Sequence, residues 1–465
     1  MKALNPVLVS GKEVLPVVEG GKGISVSNGA SSGAWSAAGG VGTFSGVNAD
    51  SFDASGAPLP MVYRGKTRRE RNHELVAFSI RGGIQQARMA HEMASGQGRI
   101  HMNVLWEMAA AEEILHGVLE GAKGLIHGVT CGAGMPYKVA DISAKYGVYY
   151  YPIVSSARAF RALWKRSYHK HAEWLGGVVY EDPWLAGGHN GLSNSEDPRV
   201  PEDPAPRVRE LRACMRELGV KDVPIFMAGG VWWLEEWEDW LDNHELGPIA
   251  FQFGTRPLLT QESPISMDWK RKLPNLTPGE VLLHKFSPTG FYSSAVKNDF
   301  LMELVARSER QIAYSSEPVG EHQTALAIGA RGRLVYVTQS DRGRALDWIH
   351  MGFTEALRTP DSTLIFLNPE KAEEIRRDQT DCMGCLSACL FSNWSQNETG
   401  TTGKKSDPRS FCIQKTLQNI SHGGAVEHEL MFAGHNAYRF GQDPFYADGF
   451  IPTVRQLIER IQTGH

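Results

Sequence analysis

A single histidine stands between glycines in the stretch DPWLAGGHNGLSN, residues 182–194, directly after the apolar run LGGVVY. An imidazole titrates close to neutral pH, so it can take a proton from a substrate or donate a hydrogen bond to it. The adjacent Gly187 and Gly188 carry no side chains, and a ligand can therefore approach the backbone closely. We interpret His189 as a candidate catalytic residue; a hydrogen-bonded loop histidine is the plain alternative.

Four of the six cysteines are crowded into the last fifth of the sequence: Cys382, Cys385 and Cys389 in DCMGCLSAC, followed by Cys412. The spacing CxxCxxxC presents several thiolates from one short segment, which suits a soft metal or a cluster. It is similar to the [4Fe–4S] site of iron–sulfur flavoproteins related to the dienoyl-CoA reductases, although their fourth cysteine is usually closer. We expect an iron–sulfur cluster, with a structural zinc ion or four unligated thiols as alternatives.

Two stretches with glycines follow consecutive apolar runs. VPIFMAGGV contains Gly229 and Gly230, and IAFQFGTRPLLTQES contains Gln252, Gly254 and Thr255. Backbone N–H groups beside glycine can reach phosphate oxygens, and the threonine hydroxyl adds a further donor. Either stretch alone reads as a simple turn. Together, at the ends of successive strands, they favour a phosphate site.

The elements that must position these residues repeat along the first half of the chain. Short apolar runs alternate with helix-compatible segments, which predicts βα units closed into an α/β fold, a (β/α)8 TIM barrel with its active site at the carboxyl ends of the strands. An open doubly wound sheet is the alternative, but no GxGxxG motif follows the first strand. The predicted strands are residues 14–18, 41–44, 100–104, 124–127, 148–154, 177–180, 223–226 and 249–253.

Past the barrel pattern the sequence predicts a C-terminal appendage. We assign residues 1–270 to the barrel, 271–380 to an α+β appendage, and 381–465 to a segment with the cysteine cluster and C-terminal helices. In the appendage, FLMELVARSERQ and RALDWIHMGFTEAL read as helices, and QTALAIGA, GRLVYVTQ and STLIFLN read as strands. The basic stretch YRGKTRRERNHE, in the long connection of residues 47–98, is interpreted as a solvated loop and helix face.

The amino-acid composition limits the classes of partner that the protein is expected to bind. The 48 Lys and Arg residues against 52 Asp and Glu residues give a net charge of −4, so no overall field favours nucleic acid or an anionic membrane. No run reaches the roughly 18 apolar residues of a membrane span, and the N-terminus has no uninterrupted apolar segment of a signal peptide. We expect a cytoplasmic protein that acts on a small molecule.

Five motifs in order carry a specific resemblance. AGGVGTF, HMN, LAGGHNG, MAGGV and QFGTRPLLTQES, spread over roughly residues 14–265, resemble the signature of the nitronate monooxygenase family, formerly called 2-nitropropane dioxygenases. Relatives of that family include flavin-dependent enoyl-acyl-carrier-protein reductases and some NADH:quinone reductases. The cysteine segment has no counterpart in ordinary members.

The resemblance implies non-covalent FMN in the barrel mouth, with His189 matching the family's active-site histidine. The backbone after the first strand would lie near the isoalloxazine ring. The sequence departs from the family pattern at Asp182, where many members have glutamine, and at Trp232 and Trp233, within a longer connection between strands 7 and 8. The implied cofactor-binding residues are Gly21, Lys22, Gly23, Asn103, Asp182, Gly187, Gly188, Gly229, Gly230, Gln252, Gly254 and Thr255.

The resulting expectation is an FMN-dependent oxidoreductase of the nitronate monooxygenase type, which oxidises nitronates, nitroalkanes or a similar small carbon acid. The first alternative is an NAD(P)H-dependent enoyl or quinone reductase that uses an iron–sulfur cluster for electron transfer. The second is a non-catalytic redox sensor that binds flavin and metal. The expected partners are a small-molecule substrate and either NAD(P)H or an electron-transfer protein, and a homodimer is an open alternative.

Overall fold

Eight parallel strands form a closed barrel in the computed structural model, which describes residues 1–53 and 57–464. Each strand pairs with the next along the chain, and the eighth pairs with the first through Phe251 and Val17. The predicted TIM barrel is therefore confirmed. In chain order the strands are Val17–Glu19, Val41–Ser45, Arg99–Leu105, Gly128–Gly132, Tyr149–Val154, Val178–Glu181, Ile225–Ala228 and Ile249–Phe253.

The prediction for the fourth strand was wrong. Residues 124–127 form the connection that leads into it, and Gly124 has a φ of +80°, which suits the end of a helix rather than a strand. The strand itself is the less apolar GVTCG. Its first residue is a glycine because a Cβ at Gly128 would lie 2.6 Å from the His101 ring and 2.7 Å from the Tyr151 ring.

The amino end of the barrel is closed and filled. A hairpin of Val7–Val9 and Lys12–Val14 lies across that end, and the Ser10 N–H at its turn donates to the Tyr151 hydroxyl at 2.9 Å. Inside the barrel, Tyr151 and Phe226 lie in ring contact, with centroids 5.3 Å apart. A filled amino end agrees with a ligand site at the carboxyl end, where barrels of this type have their active sites.

In the described part of the chain, seven α-helices pack around the outside of the barrel, and the last of them lies near the end of the sequence. Strands 7 and 8 are joined by the short 3₁₀ segment Leu234–Trp240, without an α-helix. Val454–Thr463 packs between this connection and the first outer helix, where an eighth barrel helix belongs. No helix in the described part of the chain is long and apolar enough to cross a membrane. The outer helices are Gly29–Ala37, Arg68–Ala94, Ala111–Gly121, Val139–Tyr146, Ala157–Arg166, Pro204–Glu217 and Val454–Thr463.

The appendage has the α+β character that the sequence predicts, with one corrected element. The helix expected through residue 357 ends at His350, because Gly352 takes a φ of +96° and caps it. The residues that follow form the strand Glu355–Arg358, which pairs with Thr363–Leu367. The other elements are helices Asp299–Glu309 and Pro369–Thr380 and strands Val281–His284, Ser293–Val296, Gln311–Ala313, Thr324–Ile328 and Arg333–Val337.

The basic stretch is only partly the solvated face that was predicted, because Arg64, Lys66 and Arg69 are exposed whereas Arg68 and Arg71 are half-buried. It begins the 27-residue helix Arg68–Ala94, which starts with a capping box between Thr67 and Glu70. Arg68 donates to the carbonyls of Ser392 and Gln379 at 2.9 and 2.8 Å. Arg69 and Arg71 donate to further carbonyls of the same segment. The sequence could not reveal this, because the acceptors are backbone groups more than 300 positions away.

Candidate active site

A cavity of about 200 Å³ lies at the carboxyl ends of the barrel strands. Its floor is formed by the loops after strands 1, 3, 6, 7 and 8. Its roof comes from the C-terminal part of the chain, including Gln414, Leu417 and Phe432. The C-terminal segment thus covers part of the mouth of the barrel to which it belongs.

The cavity brings together the barrel residues that the sequence singled out, with one exception. Asp182 lies outside the lining, and His189 and the other predicted cofactor-binding residues lie within it. Those others are Gly21, Lys22, Gly23, Asn103, Gly187, Gly188, Gly229, Gly230, Gln252, Gly254 and Thr255.

Four backbone N–H groups at the ends of strands 7 and 8 have no hydrogen-bond acceptor among the described residues: those of Gly229, Gly230, Gly254 and Thr255. Gly229 and Gly230 have φ values of +87° and +79°, a conformation that favours glycine. A Cβ at Gly254 would meet nothing within 4 Å, so the cavity begins at its backbone. Unpaired donors around open space fit a phosphate group.

The loop after strand 1 is pressed against strand 3. A Cβ at Gly21 would lie 2.3 Å from the Cβ of Asn103, so only glycine fits there. The Asn103 amide approaches the Gly21 carbonyl at 3.4 Å and accepts from the Thr130 hydroxyl at 3.2 Å. The Lys22 ammonium donates to the Gly20 carbonyl at 2.8 Å. This loop therefore presents backbone, with little side-chain cover, to one wall of the cavity.

His189 is held by residues of the appendage. It lies in the two-residue strand Gly188–His189, which pairs with Ser293 and Ser294. Its Nε2 lies 2.7 Å from Ser287 Oγ, and the ring packs edge-on against Phe432. Burial lowers the pKa of His189 to about 4, so the imidazole is neutral at physiological pH. Nδ1 has no partner among the described residues and is available to a ligand.

Gly187 lines the cavity and also allows the roof segment to pack closely against it. A Cβ at Gly187 would lie 2.6 Å from the carbonyl carbon of Ala433 in the roof. Nearby, the Gly434 N–H donates to Thr255 Oγ1 at 2.9 Å, and the Asn436 amide donates to the Gly230 carbonyl at 2.6 Å. The glycine stretch expected to lie against a flavin therefore also lets the roof segment approach the strand ends.

Glu181, and not Asp182, presents a carboxyl group to the cavity. Asp182 Oδ1 accepts from the N–H groups of Trp184 and Leu185 at 2.9 and 2.8 Å, which fixes the turn after strand 6. Glu181 lines the cavity at the end of that strand. Burial, and then the neighbouring Asp182, raise the pKa of Glu181 to about 8. The sequence could have indicated Glu181, because side chains alternate between the two faces of a strand. Val179, two residues earlier, faces the barrel interior.

The raised pKa of Glu181 predicts a pH dependence of stability. The folded protein keeps this proton to about pH 8, whereas the ordinary value is 4.5, so the folded state binds more protons between these limits. The free energy of unfolding therefore falls as pH rises through that window. Urea unfolding of Glu181→Gln should show a shallower fall than the natural protein. The exposed variant Glu120→Gln is the control, and an unchanged slope in Glu181→Gln would contradict the assignment.

A buried ion pair fixes the roof segment to the barrel. Arg256, directly after strand 8, lies 3.2 Å from Asp443, and both side chains are almost fully buried. Arg256 also donates to the Trp232 carbonyl at 2.9 Å, and Arg460 reaches the other Asp443 oxygen at 3.3 Å. A charge buried without its partner is costly, so these contacts hold the C-terminal segment in one position.

The four cysteines converge beside the same cavity. Cys382, Cys385 and Cys389 are buried, Cys412 is half-buried, and all four are free thiols. Cys385 itself lines the cavity. No group of three or more His, Cys, Asp or Glu side chains among residues 1–53 and 57–464 is arranged to hold a single metal ion. The arrangement of these side chains therefore supports neither the expected iron–sulfur cluster nor the alternative of a structural zinc ion.

Comparison with solved structures finds the same fold over nearly the whole chain. FabK from Thermotoga maritima has a TM-score of 0.51 and 16% sequence identity, covering 97% of this chain and 92% of that chain. The enoyl reductase domain of MlnA, from the macrolactin biosynthesis cluster of Bacillus amyloliquefaciens, has a TM-score of 0.50 and 12% identity, covering 97% and 94%. No protein-family model and no curated protein matches the sequence. At these identities the likeness concerns the fold.

Sequence reasoning missed residues of the site that come from distant parts of the chain, namely Gln414 and Phe432 in the cavity wall and Ser287, which contacts His189 from outside the lining. Nothing in the local sequence marks Ser287, Gln414 or Phe432 as functional, because none of them lies in a recognisable motif. The roof is tied down by contacts such as the one between the amides of Asn48 and Gln414, 2.7 Å apart and 366 positions distant in sequence. Only the folded chain brings these partners together.

Proposed function

We propose that the protein is an FMN-dependent oxidoreductase that oxidises nitronates or a similar small carbon acid, with dioxygen as electron acceptor. One observation carries the proposal: a roofed cavity at the barrel mouth combines four unpaired N–H groups, at Gly229, Gly230, Gly254 and Thr255, with a histidine. The ordered sequence motifs resemble those of nitronate monooxygenases and support the same conclusion.

The residues present fit FMN. The unpaired N–H groups after strands 7 and 8 would hold its phosphate. The glycine loop at residues 20–23 would offer backbone to the flat ring, with Asn103 holding that loop in place. FMN, when bound, supplies an acceptor for one electron or a hydride. The protein supplies position, exclusion of water and control of protons.

His189 can act in either of two tautomers because its partner is a hydroxyl. If Nε2 donates to Ser287 Oγ, Nδ1 is unprotonated and can take a proton from a carbon acid. If the Ser287 hydroxyl donates to Nε2, Nδ1 carries hydrogen and can donate to an anion. Ser287 Oγ also lies 2.8 Å from the Thr289 hydroxyl, which can accept or donate in turn. The hydroxyl groups of Ser287 and Thr289 therefore allow both tautomers of His189.

The lowered pKa of His189 favours a nitronate over a neutral nitroalkane. A base with a pKa of about 4 has little driving force to remove a proton from carbon. A nitronate is already deprotonated and needs only a hydrogen-bond donor to orient it. We therefore assign His189 mainly to binding and orienting the substrate anion.

The second candidate function is an NAD(P)H-dependent enoyl or quinone reductase that exchanges electrons with an iron–sulfur cluster. In this candidate the cluster would be the one predicted at the four cysteines, of which Cys385 lines the cavity proposed to hold the flavin. Enoyl reductase is also the named activity of the MlnA domain that shares the fold.

Anaerobic reduction of the bound flavin separates the two candidates. Purified protein is mixed with propyl-2-nitronate, and in a parallel experiment with NADH or NADPH, and bleaching of the flavin absorbance is followed. The proposal expects reduction by the nitronate and reoxidation when air is admitted. Reduction by the nicotinamide alone would replace it with the second candidate, and a flavin reduced by neither would leave only a binding protein.

A further inference from the structure

We propose that Gln414 is a substrate-binding residue, whose side-chain amide donates a hydrogen bond to an oxygen atom of the substrate from the roof of the cavity. Gln414 belongs to the short helix Ile413–Asn419 and lines the cavity, although only 1% of the residue is exposed. The identity of the substrate, a nitronate or a similar anion, rests on the proposed function. The donor itself stands on the contacts of Gln414.

The amide of Gln414 is satisfied at its oxygen and unpaired at its nitrogen. Oε1 accepts a hydrogen bond from Asn48 Nδ2 at 2.7 Å. Nε2 is buried and has no hydrogen-bond partner among residues 1–53 and 57–464. A buried donor without a partner costs about 1–3 kcal/mol, so folded proteins rarely leave one unpaired. An unpaired N–H group in the wall of a cavity therefore fits a ligand that brings the missing acceptor.

Asn48 holds the Gln414 amide in this orientation. Asn48 follows the second barrel strand and has a φ of +47°, a left-handed conformation that asparagine adopts more readily than most residues. The Ser79 hydroxyl, on the helix Arg68–Ala94, donates to Asn48 Oδ1 at 3.3 Å, which directs the Asn48 nitrogen toward Gln414. Both Asn48 and Ser79 are buried. Gln414 cannot turn its oxygen to the cavity without losing the contact with Asn48.

The roof around Gln414 is mostly apolar. The amide of Asn436, which also lines the roof, is already occupied, because it donates to the Gly230 carbonyl at 2.6 Å. In a largely apolar pocket, a few placed polar groups determine the orientation and the specificity of the ligand. The Gln414 donor therefore selects for a ligand with an oxygen acceptor on the roof side. The apolar residues that line the roof include Leu386, Ile413, Leu417, Ile420, Leu430 and Met431.

The Gln414 donor is separate from the N–H groups assigned to the FMN phosphate. Gln414 is tied to the loop after strand 2, whereas the phosphate donors follow strands 7 and 8. His189 follows strand 6, which lies opposite strand 2 in the closed barrel. Gln414 and His189 thus offer donors from different sides of the cavity, which suits a substrate with two oxygen acceptors. A nitronate carries two oxygens on one nitrogen.

The test is the binding of nitrate, a planar oxyanion that does not react with oxidised flavin, measured by isothermal titration calorimetry on full-length protein. In Gln414→Met, a side chain of similar size without a donor, we expect the Kd for nitrate to rise at least about 10-fold, as for a lost hydrogen bond to a charged group. The Kd for FMN should stay unchanged. Gln396→Met is the matched control, because Gln396 Oε1 also accepts from an N–H group, that of Ala110 at 2.9 Å, but lies outside the cavity lining.

A second variant decides the question if circular dichroism shows that Gln414→Met does not fold. Gln414→Glu keeps an oxygen for Asn48 but carries a donor only while its carboxyl is protonated. Its affinity for nitrate, relative to the natural protein, should therefore fall as pH rises. The titratable residues that line the cavity, Lys22, Glu181, His189 and Cys385, are present in both proteins.

Three results would overturn the proposal: a natural protein that does not bind nitrate, unchanged nitrate binding in Gln414→Met, or weaker binding of FMN without weaker binding of nitrate. In the last case the amide contacts the cofactor and not the substrate. A protein that binds nitrate through Gln414 but neither contains nor takes up FMN would retain this donor and contradict the proposed function. The two failures are therefore distinguishable.

Discussion

Replacing His189 with asparagine is expected to lower kcat/KM for a nitronate by about 10- to 100-fold, because a hydrogen bond to a charged group, worth about 1.5–3 kcal/mol, is removed. A neutral nitroalkane should already turn over slowly in the natural protein, since a base with a pKa of about 4 has little driving force to remove a proton from carbon. FMN content should not change, because His189 is not among the unpaired phosphate donors of the cavity.

Steady-state oxygen consumption with each substrate measures both effects. His169→Asn serves as the matched control, because this exposed histidine lies outside the cavity and, among the described residues, has its hydrogen bond with the Trp164 carbonyl. Unchanged kcat/KM for the nitronate in His189→Asn would contradict the role of orienting the anion. A larger loss on the nitroalkane than on the nitronate would show that the histidine acts as a proton acceptor instead.

Replacing Asp443 with alanine is expected to destabilise the protein by about 3–5 kcal/mol, the cost of leaving one partner of a buried ion pair without its counter-charge. Arg256 would lose its carboxylate while it stays buried, and Arg460 and the Trp232 indole N–H would lose the same acceptor. Because Asp443 belongs to the segment over the barrel mouth, the roof should also become more accessible.

Urea unfolding and limited proteolysis measure the two consequences. Glu459→Ala is the control, since this exposed residue lies on the helix Val454–Thr463 and should change stability by less than about 0.5 kcal/mol. Stability and proteolysis in Asp443→Ala that match the control would show that the pair does not hold the roof.

The barrel could be predicted because its strands leave a strong local pattern. Runs such as Ile249–Phe253 are apolar throughout, as expected for strands buried on both faces. Gly128–Gly132 escaped detection because glycine, threonine and cysteine take the place of large apolar residues where His101 and Tyr151 fill the interior. The helix at the end of the appendage was drawn too long, since a glycine at positive φ stops it before the amphipathic pattern ends.

The floor of the site could be predicted, and its roof could not. Glycines at 229, 230 and 254 and the histidine at 189 follow strands of a barrel, so their convergence was implied by the fold. The roof depends on pairings between distant segments, for example Arg256 with Asp443 and Ser287 with His189. The contacts of Arg68 and Arg71 could not be predicted either, because a run of charged residues does not indicate which carbonyl groups its side chains will bind.

The most direct test of the central claim, that the barrel mouth binds FMN, is extraction of flavin from purified protein. Denaturation by heat or acid should release FMN into solution, in an amount close to one per chain, with none left covalently attached. Protein freed of its flavin should take FMN up again. A purified chain that contains no flavin and does not bind added FMN would contradict the account.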